Sequence, residues 1–201
     1  MAILLAIKFW NVKWDSHLKL PSLKLIAIVM LITFFVKMVS FLANPYYFTS
    51  DILDGKLYLL SYKTFSFENP IVIISLLFFE PIIEEFIFRK IIFLKIKKYF
   101  GLIAGMIVSS LLFSFAHLGV FDNFKMFIYG IFYCFIFYRT KNIVLSIIAH
   151  SLFNLIALNT MVFHVDLIDN NYPYLLVYLL GLIGIYLCVK KLNELKIQKP
   201  Q

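Results

Sequence analysis

Apolar runs of 15 to 25 residues, separated by shorter polar or basic stretches, make up most of the chain from Leu23 to Val189. Runs of this length predict helices that cross or nearly cross a bilayer, and six can be drawn, at 23–43, 70–94, 101–118, 124–138, 143–163 and 174–189. Ahead of them, residues 1–22 join a short apolar start to Lys8, Lys13, Lys19, Trp10 and Trp14, the composition of an interfacial segment. Its basic residues follow the apolar start and no small-x-small site comes after it, so a cleaved signal peptide is not expected. The one long polar connection, 44–69, carries Asp51, Asp54 and Glu68 against Lys56 and Lys63, with a short amphipathic helix predicted around 52–62. Pro70 opens the second run at a favourable helix-start position.

Composition raises this pattern from helical to membranous. With 62% hydrophobic residues and 23 Phe in 201 positions, and a mean hydropathy of +0.90, the chain has more apolar surface than one soluble core of its size can bury. The expected fold is therefore all-α, a single polytopic membrane bundle of about six transmembrane helices covering residues 1–201. The net charge of +8 would otherwise suggest nucleic acid, but its distribution points to orientation instead. One side of the six-span scheme collects Lys8, Lys13, Lys19, Lys24, Lys90, Lys95, Lys97, Lys98, Arg139, Lys141, Lys190, Lys191, Lys196 and Lys199, against Lys56, Lys63 and Lys125 on the other. Both termini are then expected in the cytoplasm of a multi-pass protein of the cell membrane, with the bilayer as its partner and no nucleic acid. Lys37, toward the far end of the first span, is expected to snorkel to the surface. Cys134 and Cys188 lie in apolar runs and read as packing residues.

Against this background, Glu80, Glu84, Glu85 and Arg89 are conspicuous, because each charge inside a spanning helix costs about 2.5 to 3.5 kcal/mol even on a lenient scale. Glu85 and Arg89 are four apart and can pair, which leaves Glu84 as the carboxylate free to act, with Glu80 on its face. Pro81 withholds a backbone donor, frees the carbonyl of Leu77 in an α-helical register, and favours a kink and a wet pocket there. The plain structural interpretation is a salt-bridge cluster that clamps the helices. Two further pairs weigh against it: Phe113 and His117 on the third span, and His150 and Asn154 on the fifth, each pair on one helical face. His150 and Asn154 together supply the two donors an oxyanion hole needs. HExxH, a GxSx serine and a pair of intramembrane aspartates are all missing from the sequence, which removes three other protease classes.

The three elements in order, Glu84-Glu85-x-x-x-Arg89, Phe113-x-x-x-His117 and His150-x-x-x-Asn154, resemble the CAAX protease and bacteriocin-processing family, also called the Abi family. The resemblance covers about 70–163 and includes Pro81 and Phe88; Lys90 departs from the glycine that many members carry there. It implies a four-helix catalytic core within 70–163 and an intramembrane endopeptidase without a cofactor. In that scheme Glu84 is the general base, His117 holds the water with it, His150 and Asn154 stabilise the oxyanion, and Glu85 with Arg89 is the supporting pair. Phe113 and Glu80 accompany them, the latter without an assigned role. A zinc enzyme using Glu84, His117 and His150 is the second mechanism. The substrates implied for a compact bacterial member are hydrophobic or leader-type peptides rather than prenylated proteins. A bacteriocin self-immunity protein, acting with or without proteolysis, is the alternative function, and a small proton-relay transporter the third. One tension is visible in the scheme: at ~1.5 Å per residue from the cytoplasmic ends, Glu84, His150 and Asn154 lie roughly 12 to 18 Å deep but His117 nearer 24 Å.

Overall fold

A computed structural model describes residues 20–42, 69–117, 123–162 and 174–195. The interfacial segment, the acidic loop 44–68, His17, His164 and the outer acidic residues Asp122, Asp166 and Asp169 fall outside these residues. Among the described residues the secondary structure is all helical. Helix α1 is Leu23–Leu42, α5 is Asn123–Thr140, α6 is Ile143–Val162 and α7 is Tyr174–Glu194. Between α1 and α5 runs one long helical course from 70 to 116. It begins as α2, Pro70–Ile74, passes through a π-helical turn at Ser75–Phe79 into α3, Glu80–Glu85, then through a second π-helical stretch, Phe86–Phe93, into α4, Leu94–Ala116. Asn69 caps its start by accepting the Ile71 N–H at 2.9 Å, with Pro70 at the first position.

The course is broken once. Gly101 takes φ 87° and ψ 174°, a backbone conformation that side chains disfavour, in the middle of α4. A Cβ built on Gly105 would lie 3.0 Å from the backbone N of Lys97, whereas eight residues of straight helix span ~12 Å, so the chain doubles back at Gly101. The two limbs pack as a hairpin. Ser109 Oγ donates to the Phe88 carbonyl at 2.6 Å, and the rings of Phe88 and Phe113 meet edge to face at 5.3 Å. The second helical course therefore ends near Phe100 rather than at 94, and Glu84 and His117 stand at the same level, 17 and 16 residues from the turn. This removes the depth mismatch expected from sequence, which comes from ending the second span too early.

Around the hairpin, α1, α5 and α6 supply the core: Val29 and Ile32, Tyr133 and Ile136, Leu145, Ala149 and Phe153 are buried together. Gly130 on α5 lies so close to α4 that a Cβ there would stand 2.8 Å from Ser110 Cβ. Gly181 and Gly184 on α7 likewise receive Val39, Met38 and Phe35 of α1. Cys134 is buried and Cys188 half-buried, both as free thiols. Outward faces are apolar, with Leu31, Phe78, Ile103, Phe115, Ile183 and Leu187 all exposed. Among the described residues one helix is long and apolar enough by itself to cross a membrane, with its best window at Leu23–Ser40 and a mean hydropathy of 2.2. Lys37 is half-buried, and its Nζ sits 5.4 and 5.2 Å from the ring centres of Tyr129 and Phe153, within reach of cation–π attraction.

The two-residue turn between α5 and α6 concentrates charge. Lys141 is in the left-handed region at φ 53° and its N–H closes α5 by donating to the Phe137 carbonyl at 2.8 Å. Its Nζ lies 3.8 Å from the Tyr138 ring centre, with that of Lys97 4.7 Å from the same centre. Partial burial first, then Lys97 and Arg139, push the Lys141 ammonium down to about 8 from the ordinary 10.5. A depressed base carries a folding penalty that is complete below pH ~8, where the group is charged in both states, and is relieved as pH rises toward ~10.5. Lys141→Gln is accordingly expected to raise the unfolding temperature at pH 7, with an advantage that shrinks across that window. A difference that stays constant from pH 7 to 10.5 would contradict the assignment.

Candidate active site

Two helical limbs and α6 converge at the level of Glu84. The carboxylates sit on a short α-helical piece between two π-helical stretches, an arrangement that shifts the side chains around the axis relative to an unbroken α-helix. Glu85 points into the core and is fully buried. Its Oε2 stands 3.1 Å from Arg89 Nε and accepts the Ser146 hydroxyl, and its Oε1 accepts from His150 Nδ1 at 3.0 Å. Arg89, also fully buried, is enclosed by aromatic faces, its Cζ 4.5 Å from the Phe113 ring centre and 5.2 Å from that of Tyr133, while Nη2 reaches the Gly130 carbonyl at 3.5 Å. The pairing of Glu85 with Arg89 is thus present, and α6 ties it to His150.

Glu84 faces the other way, toward the open side, with a quarter of its side chain accessible. Its Oε2 is buried and accepts no hydrogen bond among the described residues. Two imidazoles aim at this one atom: His117 Nε2 and His150 Nε2 each lie 3.7 Å from it. The partners on the far side of each ring fix the proton. His117 Nδ1 lies 2.8 Å from the Phe113 carbonyl and His150 Nδ1 faces Glu85, so both Nδ1 atoms donate and both Nε2 atoms present lone pairs when the rings are neutral. Three acceptors therefore surround one point, at separations too long for direct hydrogen bonds. A donor placed between them, such as a proton on one group or the O–H of a small molecule, bridges acceptors at this spacing.

Aromatic packing holds the imidazoles. The His150 ring stacks on Tyr133 at 4.7 Å and 15°, and Phe113 lies against both histidines, at 4.5 Å from His117 and 5.7 Å from His150. His150 is buried whereas His117 is part-exposed, so the site opens along Glu84 and His117. Asn154 directs Nδ2 to the Leu76 carbonyl at 2.9 Å. Glu80 is exposed on the outer face, where its Oε1 accepts from Ser75 Oγ at 3.3 Å. Among the described residues no three His, Cys, Asp or Glu are set out as a metal-binding group. Sequence reasoning misses Ser146 and Tyr133. Ser146 carries a signal, since with His150 and Asn154 it forms a polar stripe at four-residue spacing along α6; the stacking of Tyr133 leaves none.

Residues 66–156, which hold all three motifs, match the family model described as Type II CAAX prenyl endopeptidase Rce1-like. The resemblance read from those motifs is borne out over that stretch. Neither a curated protein nor a solved structure gives a match to the chain.

Proposed function

We propose that this chain, whose segment 66–156 is that of a CAAX-type endopeptidase family, is a multi-pass membrane peptidase that hydrolyses hydrophobic or leader-type peptides, with both termini in the cytoplasm. The observation that carries the proposal is the convergence of Glu84 Oε2, His117 Nε2 and His150 Nε2, between which a water molecule can give one hydrogen to the carboxylate and the other to an imidazole. Glu84 takes one of those protons as the water oxygen bonds to the scissile carbonyl carbon, and His117 accepts the other hydrogen and orients the attack. The C–N bond then breaks, and the proton passes from Glu84 to the leaving amine. When His150 holds a proton on Nε2 it donates to the developing oxyanion, and the Glu85 carboxylate on its Nδ1 steadies the imidazolium.

The test is incubation of the purified protein, reconstituted in lipid, with a library of hydrophobic and double-glycine leader peptides, cleavage being read by mass spectrometry. Discrete products that persist in chelator are expected. Loss in chelator with recovery on zinc would transfer Glu84, His117 and His150 to the metal mechanism. A self-immunity protein acting by binding alone would yield no products, and its Glu84→Ala and His117→Ala variants would protect a bacteriocin-sensitive strain in full.

A further inference from the structure

We propose that Asn154 is a positioning residue that supplies, from α6, the hydrogen-bond donor that Pro81 lacks, and so keeps the carboxylate helix in its π-helical register. At the end of the first π-helical turn the Glu80 N–H donates to the Ser75 carbonyl, five residues back. Continuing that register by one residue assigns the Leu76 carbonyl to the N–H of residue 81, and residue 81 is proline. The carbonyl left over is not the Leu77 group that an α-helical register would free. It is the carbonyl that Asn154 Nδ2 reaches at 2.9 Å, from a position 78 residues away in the chain.

The alternative to this contact is local. With no donor on the Leu76 carbonyl, the Glu80 N–H can return to it from Ser75 and restore an α-helical turn. Adding or removing one residue from a turn swings the residues beyond it by about 100° around the helix axis. Glu84 lies three residues beyond Pro81, and its Oε2 meets both histidines only at its present azimuth. Asn154 therefore acts on the reaction through the backbone. This last step rests on the peptidase reading; the contact itself does not.

The experiment is a double-mutant cycle in the reconstituted full chain. Pro81→Ala restores an N–H able to serve Leu76. Asn154→Ala, and the similarly shaped Asn154→Leu if the first accumulates poorly, removes the side-chain donor. In the native background Asn154→Ala is expected to lower the unfolding temperature by on the order of 3 to 8 °C and to speed amide exchange over 75–86 about tenfold. In the Pro81→Ala background both effects should fall to less than half. Equal effects in the two backgrounds would overturn the proposal. On a cleaved peptide, Asn154→Ala should depress kcat more than KM, and Pro81→Ala should recover much of that loss. A kcat loss indifferent to residue 81 would mean that Asn154 serves the oxyanion directly. Absence of hydrolysis by the native protein would count against the peptidase reading alone, because exchange and unfolding still decide the clamp.

Discussion

Glu84→Gln is expected to cut kcat/KM on any cleaved peptide by about a thousandfold, within the range for loss of a general base, while shifting the unfolding temperature by no more than about 2 °C. The two halves of this expectation have separate causes. In the proposed mechanism the carboxylate removes the proton of water, and an amide of the same shape cannot. The fold, however, draws little from it, because its Oε2 accepts no hydrogen bond among the described residues and the charge of Arg89 is answered by Glu85. The amide can even donate to one of the two Nε2 lone pairs. Kinetics and thermal unfolding of the same preparation check both halves. Activity within tenfold of the native protein would remove Glu84 from the chemistry, and a large stability loss would favour the clamp interpretation of the acidic cluster.

The opposite split is expected at Glu85. Glu85→Ala leaves a fully buried guanidinium among Phe113, Tyr133 and Phe88, its remaining contact with an acceptor among the described residues the long 3.5 Å reach to the Gly130 carbonyl, and breaking such a pair costs about 3 to 5 kcal/mol. Set against the ~5 to 15 kcal/mol that holds a typical domain together, this should lower the unfolding temperature and the yield of folded protein sharply. The double variant Glu85→Met/Arg89→Met is expected to recover folding, since apolar residues of similar volume often replace a buried ion pair without loss. It should nevertheless hydrolyse peptides poorly, because the imidazole of His150 loses the acceptor on its Nδ1. Detergent-extractable yield, unfolding temperature and peptide cleavage separate the three outcomes. Native-like stability in Glu85→Ala would contradict this role for the pair.

Much of this is legible in the sequence because membrane-type hydropathy makes helices and stray charges easy to see. The helices at Leu23–Leu42, Asn123–Thr140 and Ile143–Val162 begin and end within two residues of the apolar runs. Glu84, Glu85, Arg89, His117 and His150 stand out as costly polar residues at helical spacing, and all five meet in one place. What the sequence does not disclose depends on geometry across elements. Nothing marks Ser75–Phe79 as π-helical in advance, so an α-helical register points to Leu77 when the freed carbonyl is that of Leu76. The basic residues Lys95, Lys97 and Lys98 suggest an end at 94, although the helix continues to the Gly101 reversal. The generic behaviour of lysine near a helix end cannot anticipate that the rings of Tyr129 and Phe153 lie beside Lys37.

The reversal at Gly101 has a bearing on which changes of length the chain can accept. Because Glu84 and His117 oppose one another from limbs of nearly equal reach, a single residue inserted or deleted between them would turn one of the two side chains away and carry it along the axis as well. Matched changes, one turn from each limb, would preserve the meeting while moving both groups nearer to the Gly101 end. The distance of the chemistry from that end is thus a quantity that evolution, or an engineer, can adjust only in whole paired turns.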